Sequence, residues 1–240
     1  MTKIIFDVGA YDGKSSVEIV NQNYKGDSNF RVWLFEPHPF FAKKLKINFG
    51  IDPRFQVIEK AVCEMDGKSN LNMSRGDHPE TIGGGSSSLL DFKSNAEIDL
   101  AWNGSSAKNM AWDGNPHPLR PDLHYTGNSI SVDTIRLDTF IKINNIEKID
   151  FLHIDAQGCD LEVLKSLGGY IGIVEEGVCE AAYDLNSAIY STQKYFLQDI
   201  KNWLIENGFE LISVNPNVPY AADSKNENEW NIQFKRKNNR

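Results

Sequence analysis

Two short segments of the chain combine the residue types that bind a nucleoside. Asp7-x-Gly9-x-x-x-Gly13 ends one apolar run, and Glu36 ends a second apolar run further along the chain. In open α/β sheets, the first strand leads into a glycine turn whose backbone amides approach a ligand, and an acid after the second strand accepts hydrogen bonds from ribose hydroxyls. The pattern therefore predicts a nucleoside site built from these four residues.

The glycine spacing distinguishes between nucleoside cofactors. Dinucleotide sites carry Gly-x-Gly-x-x-Gly and direct a helix N-terminus at a pyrophosphate. Here Asp7 opens the loop, and its carboxylate would repel a phosphate. An acid suits a ligand with an ammonium and a sulfonium, which indicates S-adenosylmethionine (SAM) and predicts that Asp7 meets the ammonium directly or through water. The other residues predicted to contact this cofactor from the two segments are Ala10, Tyr11, Ser15 and Pro37.

Length and composition indicate one globular domain over residues 1–240. Of the 240 residues, 40% are apolar and 24% are charged, which is ordinary for such a domain. A formal net charge of −8 argues against nucleic acid as the main partner. No apolar run is long enough to span a membrane, and the first strand begins without a signal-peptide pattern. Together with Cys63, Cys159 and Cys179, which show no zinc or redox spacing, this predicts a cytoplasmic protein.

The apolar patterns predict strands that alternate with helices. Strands are expected at 3–8, 31–35, 55–62, 132–137, 149–154, 209–214 and 230–234, with a further one that begins at 171 and ends at 174 or 180. Helices are expected at 14–23, 139–144 (capped by Asp138), 160–167 and 192–207. Such alternation predicts a mostly parallel sheet with helices on both faces. The last two strands follow each other directly, which favours an antiparallel hairpin at the sheet edge.

Residues 75–128 interrupt this pattern. The segment holds a Gly-Ser run at 83–88, several prolines, and Leu100, Trp102, Trp112 and Tyr125 as apolar surface. A compact domain seldom keeps so long a connection without a function. One interpretation is a disordered surface excursion; the other, which we favour, is a partly ordered insertion that covers the site as a lid or substrate wall. His78, His117 and His124 lie in this segment without metal-ligand spacing.

An ordered series of motifs resembles a known family. The series is Phe6-Asp7-Val8-Gly9-Ala10-x-x-Gly13, Phe35-Glu36-Pro37, Ala61-Val62, Ser86-Ser87-Ser88-Leu89, Thr134-Ile135-Arg136-Leu137-Asp138 and Ile149-Asp150-Phe151-Leu152-His153-Ile154-Asp155-Ala156-Gln157-Gly158. It resembles the FkbM-type class I SAM-dependent methyltransferases from residue 3 to about residue 180. The resemblance implies a seven-stranded Rossmann-like fold, SAM as methyl donor, and a hydroxyl oxygen of a sugar or natural-product alcohol as acceptor.

The candidate catalytic residues follow the strand at 149–154. Asp155 lies where open α/β sheets place ligands. It is expected to act as general base towards the acceptor hydroxyl, or with a second acid as a ligand of Mg²⁺; orienting SAM or capping the next helix is the competing role. His153 points to the same side of the strand and is either a base beside a carboxylate or a buried structural histidine. His153 and Gln157 stand where the family more usually has lysine and glutamate.

The remaining candidates are assigned by strand ends and by the resemblance. Ala61 and Val62 are expected near the adenine, although Val62 is equally compatible with plain core. Ser88 is assigned to SAM and Ser87 to the substrate, with a flexible linker as the alternative for both. Gln157 and Glu180 are candidate substrate-wall residues, and a solvated acid is equally compatible with Glu180.

The sequence therefore predicts a SAM-dependent O-methyltransferase that acts by direct in-line displacement on a small-molecule or glycan acceptor. Two alternatives remain open at this stage. One is a SAM-binding partner subunit without catalysis, which the unusual His153 and Gln157 allow. The other is a Rossmann enzyme that uses NAD or a nucleotide sugar, which the glycine spacing disfavours.

Overall fold

A computed structural model describes residues 2–26, 28–75, 85–103, 124–216 and 228–237. Its strands are β1 (Lys3–Val8), β2 (Phe30–Phe35), β3 (Phe55–Ile58), β4 (Ala61–Val62), β5 (Gly67–Ser74), β6 (Tyr125–Ile135), β7 (Ile149–Ile154), β8 (Val174–Ala182), β9 (Phe209–Pro216) and β10 (Glu229–Arg236). Its helices are α1 (Lys14–Asn23), α2 (Pro39–Phe49), α3 (Asn95–Asn103), α4 (Leu137–Asn144), α5 (Asp160–Lys165) and α6 (Leu197–Glu206), with a 3₁₀ helix at Gly168–Ile173.

Seven strands form the main sheet in the order β3-β2-β1-β7-β8-β10-β9. The five from β3 to β8 are parallel, whereas β10 runs antiparallel to both β8 and β9. The predicted Rossmann-like fold with an antiparallel C-terminal strand is confirmed. Parallel pairing places the carboxyl ends of β1, β2 and β7 at one edge of the sheet, which is where open α/β folds bind ligands.

Apolar residues on both faces of the central strands explain why helices cover both sides. Ile5 packs with Ile19 of α1 and Leu45 of α2 in one cluster. Its neighbour Phe6 points the opposite way, into a larger cluster with Phe140 of α4. Helices α5 and α6 join the second cluster. Since successive strand residues alternate between faces, a strand that is apolar throughout must be buried on both sides.

The prediction of a single strand at 55–62 is wrong. The segment forms two strands: β3 pairs with β2 in the main sheet, while β4 pairs with β6 in a second, three-stranded sheet of order β4-β6-β5. Between them, the amide of Lys60 donates to the carbonyl of Ile58 at 2.8 Å, which closes a tight turn. Apolar periodicity continues through this turn, so the pattern alone did not reveal the change of sheet.

Several other element boundaries differ from expectation. Helix α4 begins at Leu137 rather than residue 139, and its N-cap is Arg136. Asp138 lies inside the first turn, where its carboxylate accepts hydrogen bonds from the Arg136 side chain and the Thr139 amide. Helix α6 begins five residues later than the predicted start at 192, and Gly168–Ile173 precedes β8 as a 3₁₀ helix. β6 begins at Tyr125, seven residues before the predicted strand start at 132.

The described parts of the 75–128 segment pack onto the main body. Within the segment, Phe92 stacks on Tyr125 with ring centroids 5.4 Å apart, and the Nε2 atom of His124 lies 2.7 Å from Asp99 Oδ1. Phe92 also contacts Tyr190 of the main body with ring centroids 5.0 Å apart, and the Lys93 amide donates to the carbonyl of Ile189 at 2.9 Å. Leu100, expected to pack, is 78% exposed. The predictions for His78, Trp112 and His117, and for the Trp102 side chain, fall outside the described residues. No helix in the described ranges is long and apolar enough to cross a membrane.

Candidate active site

A cleft with an empty volume of ≈ 1010 Å³ opens at the carboxyl ends of β1, β2 and β7. Its lining comes from the loops after these strands, from β4 and from the segment after residue 85. The lining residues predicted from the sequence are Gly9, Ala10, Tyr11, Ser15, Glu36, Pro37, Ala61, Val62, Ser87, Ser88, Asp155 and Gln157. Most of the candidate site therefore lies around one cleft.

The glycine loop brings β1 close to both neighbouring strands. Gly9 has φ +84°, and its amide donates to the carbonyl of Phe35 at 3.0 Å. A Cβ atom at Gly9 would lie 1.9 Å from the backbone oxygen of Asp155, so only glycine fits between the ends of β1 and β7. Gly13 lies behind the cleft rather than on its wall: a Cβ there would be 2.4 Å from the Phe49 ring. Glycine at position 9 therefore allows β1 and β7 to approach each other, and glycine at position 13 allows the loop to pack against α2.

Glu36 is a buried carboxylate on the cleft wall, with 5% of its surface exposed. Its Oε2 accepts a hydrogen bond from the Tyr11 amide at 2.8 Å, and its Oε1 accepts from the His38 amide at 2.7 Å. These bonds fix the plane of the carboxylate on the cleft wall.

Asp7 does not line the cleft. Its side chain is fully buried beneath the loop, where one oxygen accepts from the Ser16 hydroxyl and the other lies 2.8 Å from Nδ1 of His153. This geometry gives Asp7 a part in joining β1, α1 and β7, rather than the contact with the cofactor ammonium that the sequence suggested. His153 likewise lies below the cleft, and the carboxylate it pairs with is that of Asp7.

The charge of His153 follows from these neighbours. Burial lowers the pKa of His153, but the Asp7 carboxylate, helped by Asp155 and Asp160, outweighs burial and raises that pKa above its ordinary 6.5. An imidazolium held by Asp7 is a poor proton acceptor. The arrangement favours the structural role for His153 over the role of general base.

Asp155 lies on the cleft wall and is oriented by a chain of side chains. Its Oδ1 accepts a hydrogen bond from Gln157 Nε2 at 2.7 Å. The Tyr190 hydroxyl lies 2.8 Å from Oε1 of Gln157 and 2.7 Å from the carbonyl oxygen of Ser86, and its single proton donates to one of these two acceptors at a time. Gln157 adopts a left-handed backbone with φ +50°, an unusual conformation for a residue with a side chain. The strained turn is held by contacts on both sides.

The described start of the insertion closes one side of the cleft. Ser88 forms a two-way backbone bridge with Asn72 of β5, and its hydroxyl donates to the backbone oxygen of Gln157 at 2.7 Å. The Ser87 hydroxyl accepts from the Ser74 amide at 3.0 Å. Both hydroxyls therefore contact the protein itself and fix this segment against β5 and the loop after β7.

Acidic side chains gather behind Asp155. Glu180 does not line the main cleft; it lies in a small adjoining cavity with Asp160, Gln157 and Glu229. Burial raises the pKa of Asp155, and Glu180, hydrogen-bonded to it, has a pKa raised well above the usual range by burial and by Glu229. Burial also raises the pKa of Asp160. Closely spaced buried carboxyls cannot all ionise, so this cluster retains protons near neutral pH.

Stability should therefore fall as the pH rises. An unfolded Glu180 would ionise near 4.5, whereas the folded pKa is higher, so the native state binds more protons above that pH and loses stability as the pH rises through the folded pKa. His153 acts in the same direction above its ordinary 6.5. We expect the urea midpoint to decline from about pH 5 to about pH 8, and Glu180→Gln to make the decline shallower.

The matched control for that series is Glu210→Gln, an exposed acid on β9, which should keep the wild-type slope. Equal slopes for wild type and Glu180→Gln would contradict the protonated state of the cluster.

Sequence reasoning missed several lining residues. They include Asp12, His38, Phe41, Lys60, Leu71, Ser86, Leu89 and Cys159. His38 directly follows the Glu36-Pro37 pair, and its Nδ1 caps α2 by accepting from the Phe40 amide at 3.1 Å; its place after the strand-ending acid was the available signal. Tyr190 carried no signal, because its contact with Gln157 depends on folding of a distant segment.

The metal hypothesis receives no support from geometry. Within the described ranges, no group of three or more His, Cys, Asp or Glu side chains is arranged to hold a metal ion.

A family profile described as the methyltransferase FkbM domain matches residues 7–211. The chain belongs to the FkbM methyltransferase family. The expected family resemblance is thereby confirmed, and the family is one of SAM-dependent methyltransferases.

This FkbM-family chain is 25% identical over 161 residues to the 2-O-methyltransferase NoeI of Sinorhizobium fredii (strain NBRC 101917 / NGR234). The match covers 67% of this chain and 56% of that relative, so the chain spans little more than half of the relative's length. An FkbM methyltransferase from Methylobacillus flagellatus KT aligns in structure with a TM-score of 0.49 and 13% identity, over 97% of this chain and 43% of that one. Aeropyrum pernix fibrillarin with bound SAM aligns with a TM-score of 0.46 and 10% identity, over 97% and 66%.

Proposed function

We propose that this FkbM-family protein transfers a methyl group from SAM to a hydroxyl oxygen of a sugar, glycan or natural-product alcohol. The observation that carries the proposal is the position of Asp155: an oriented carboxylate on the wall of the cleft that also holds Glu36. Transfer to oxygen is further supported by the name of the relative NoeI, a 2-O-methyltransferase.

The cleft fits SAM in its polar and apolar parts. Glu36 offers both carboxylate oxygens to the ribose hydroxyls, fixed by backbone amides on either side. Val62 and Leu71 supply apolar wall for an adenine ring, and Tyr11 and Phe41 form an aromatic pair with centroids 4.3 Å apart. When bound, SAM supplies an electrophilic methyl group on a positively charged sulfur. Family membership favours this donor over a nicotinamide or a nucleotide sugar.

The residues around Asp155 suit proton removal from an alcohol. Burial raises the pKa of the Asp155 carboxyl, which brings its basicity nearer to neutral pH, where a general base is most effective. Gln157 holds one oxygen, so the carboxylate does not rotate away from the acceptor. The hydroxyl proton then passes to the Asp155 carboxylate, and the hydrogen bond between Asp155 and the protonated Glu180 helps to hold the base in place.

In this proposal, the segment 85–90 excludes water from the cleft. Its serines are fixed to β5 and to Gln157, so this wall of the cleft is held closed by several hydrogen bonds. A site without water favours a displacement in which the positive charge on sulfur disappears. Alignment of the reacting groups lowers the activation free energy by up to about 7–11 kcal/mol in well-oriented systems.

The test combines cofactor binding and turnover. Isothermal titration with S-adenosylhomocysteine (SAH), the demethylated product, is expected to show one-to-one binding. Sugars and simple alcohols are then supplied with SAM, with and without Mg²⁺, and SAH release is measured. Asp155→Asn should keep SAH affinity within a few-fold and lower turnover by about 10²–10⁴-fold, the usual contribution of a general base.

Glu206→Gln serves as the control, because Glu206 is exposed at the end of α6 and does not line the cleft; it should leave both measurements unchanged. No SAH binding at millimolar ligand would overturn the proposal. SAH binding without turnover on any acceptor would instead support the non-catalytic partner subunit.

A further inference from the structure

Tyr190 is a buried residue whose hydroxyl reaches the base of the proposed reaction without lining the cofactor cleft. It is 3% exposed, and it lines the small cavity that shares Gln157 with that cleft. Its hydroxyl lies 2.8 Å from Oε1 of Gln157, and Nε2 of Gln157 donates to Oδ1 of Asp155. The Tyr190 hydroxyl is therefore connected to Asp155 through the amide of Gln157.

Residues 91–98 of the 75–128 segment anchor Tyr190. Phe92 and Tyr190 form an antiparallel β-bridge, and their rings are inclined at 68° with centroids 5.0 Å apart. Next to the bridge, the amide of Ser191 donates to the carbonyl of Asp91 at 2.7 Å. Ile98 of α3 is fully buried and packs in the same apolar cluster as Tyr190. The backbone and the ring of Tyr190 are therefore both held by this segment.

The same ring packs on the turn that carries Gln157. Gln157 and the following Gly158 both have left-handed backbone conformations, with φ +50° and +86°. A Cβ atom at Gly158 would lie 2.8 Å from Cδ2 of Tyr190, so glycine allows the ring to lie directly against the turn. Packing on both sides thus sets the distance between the Tyr190 hydroxyl and the Gln157 amide.

Hydrogen-bonding capacity makes this contact directional. The amide of Gln157 has an oxygen that only accepts and a nitrogen that only donates. An ionised Asp155 requires a donor, so Nε2 faces Asp155 and Oε1 faces Tyr190. In this arrangement the hydroxyl proton of Tyr190 goes to Oε1. Without the hydroxyl, Oε1 would lose this donor, and the amide orientation that suits an ionised Asp155 would lose its support.

The charged surroundings of Asp155 are separate from this chain of contacts. The titratable groups that face Asp155 are His153, Asp7, Glu180 and Asp160, with Glu229 next to Glu180. Burial raises the pKa of Asp155, whereas His153 and the hydrogen bond from Gln157 oppose that rise. Removal of the Tyr190 hydroxyl leaves all these charges in place, so it isolates the contribution of the Gln157 hydrogen bond.

We propose that Tyr190 is a positioning residue for the reaction: its hydroxyl holds the Gln157 amide with an N–H group towards Asp155. The 75–128 segment, which anchors Tyr190, thereby contributes to the orientation of Asp155 as well as to the wall of the cleft. This inference rests on the proposed function, in which Asp155 takes the acceptor proton. Since a hydrogen bond to the ionised form lowers the pKa of a carboxyl, loss of the Tyr190 hydroxyl should raise the pKa of Asp155.

The first test measures the ionisation of Asp155 without any acceptor or cofactor. The full chain, with ¹³C in its aspartate carboxyls, is titrated by NMR, and the Asp155 resonance is the one missing from Asp155→Asn. Tyr190→Phe keeps the ring and should raise the midpoint of this resonance by about one pH unit, as expected for the loss of one hydrogen bond to a charged group. Gln157→Met should raise the midpoint in the same direction.

A double variant tests whether Tyr190 acts through Gln157. Residues in one chain of hydrogen bonds have non-additive effects, so Tyr190→Phe should cause no further shift of the midpoint when Gln157 is already methionine. A residue that merely supports the fold would add its effect to that of Gln157→Met.

The second readout is SAH release from SAM with an acceptor found in the screen of sugars and alcohols. Below the midpoint, a pKa higher by one unit leaves about tenfold less ionised Asp155, so kcat of Tyr190→Phe should fall about tenfold there. The difference should narrow as the pH rises, because Asp155 then ionises in both proteins. KM for SAM should stay within about twofold of the wild-type value, since Tyr190 does not line the cofactor cleft.

Tyr125→Phe is the matched control. Tyr125 also packs on Phe92 but lines neither the cofactor cleft nor the small cavity, so both the titration and the turnover should match those of the wild type. An unchanged Asp155 midpoint in Tyr190→Phe, or an additive shift in the double variant, would overturn the inference. Should Tyr190→Phe fail to fold, an unchanged midpoint in Gln157→Met would overturn it. Failure of SAH to bind would refute the proposed function and leave the titration standing, so the two failures are distinguishable.

Discussion

Gly9→Ala is expected to destabilise the protein by about 3 kcal/mol or more and to abolish SAH binding. An added Cβ would lie 1.9 Å from the Asp155 backbone oxygen and 2.8 Å from its carbonyl carbon. Both atoms are backbone, so no rotamer change relieves the overlap, and β1 and β7 must separate at the cleft. The left-handed conformation, φ +84°, adds strain for any residue with a Cβ. Urea unfolding and isothermal titration with SAH measure the two effects.

Gly26→Ala separates strain from overlap. Gly26 has nearly the same φ, +85°, and a Cβ atom added there would have nothing within 4 Å. The substitution should cost only the conformational penalty of about 1–2 kcal/mol and leave SAH affinity intact. If the two alanine variants were equally stable, close approach of the strands would not be the reason for glycine at position 9.

Glu36→Ala is expected to weaken SAH binding by about 100-fold or more. Two hydrogen bonds from ribose hydroxyls to a charged acceptor contribute about 1.5–3 kcal/mol each, and both disappear with the carboxylate. The amides of Tyr11 and His38 also lose their acceptor, so the loop after β1 is loosened and stability falls by about 1–3 kcal/mol. Glu36→Gln, which keeps one carbonyl acceptor, should fall between wild type and the alanine variant in both measurements.

Glu59→Ala is the matched control for this series. Glu59 directly follows β3, the neighbour of β2 in the sheet, but its side chain is 42% exposed and pairs with Lys46 on the surface. Surface ion pairs contribute about 0–1 kcal/mol, so SAH affinity should not change. Unaltered SAH binding in Glu36→Ala would remove Glu36 from the cofactor site.

The central half of the fold could be predicted because its signals are local. Lys3–Val8, Lys14–Asn23 and Ile149–Ile154 form the elements expected from apolar runs that end in Gly, Asp or Asn. Glu36 and Asp155 were placed on the cleft wall by the same reasoning, since both directly follow buried parallel strands.

Features that depend on long-range contacts could not be predicted. Asp7 follows the ligand-binding pattern, yet its carboxylate contacts Ser16 and His153. The sequence near Asp7 does not indicate that a histidine from β7 lies beside it. Tyr190 reaches Gln157 across 33 positions of the chain. Similarly, the division of 55–62 between two sheets depends on where β6 lies, which no periodicity encodes.

The place of β10 between β8 and β9 has a consequence for the order of assembly during synthesis. Strands β3, β2, β1, β7 and β8 can pair once residue 182 has left the ribosome, whereas β9 has no neighbour in the main sheet until β10 arrives. The described lining of the cleft lies within residues 8–159, all of which are synthesised before β9 and β10. The strands that frame the cleft can thus pair before β9 and β10 complete the far edge of the main sheet.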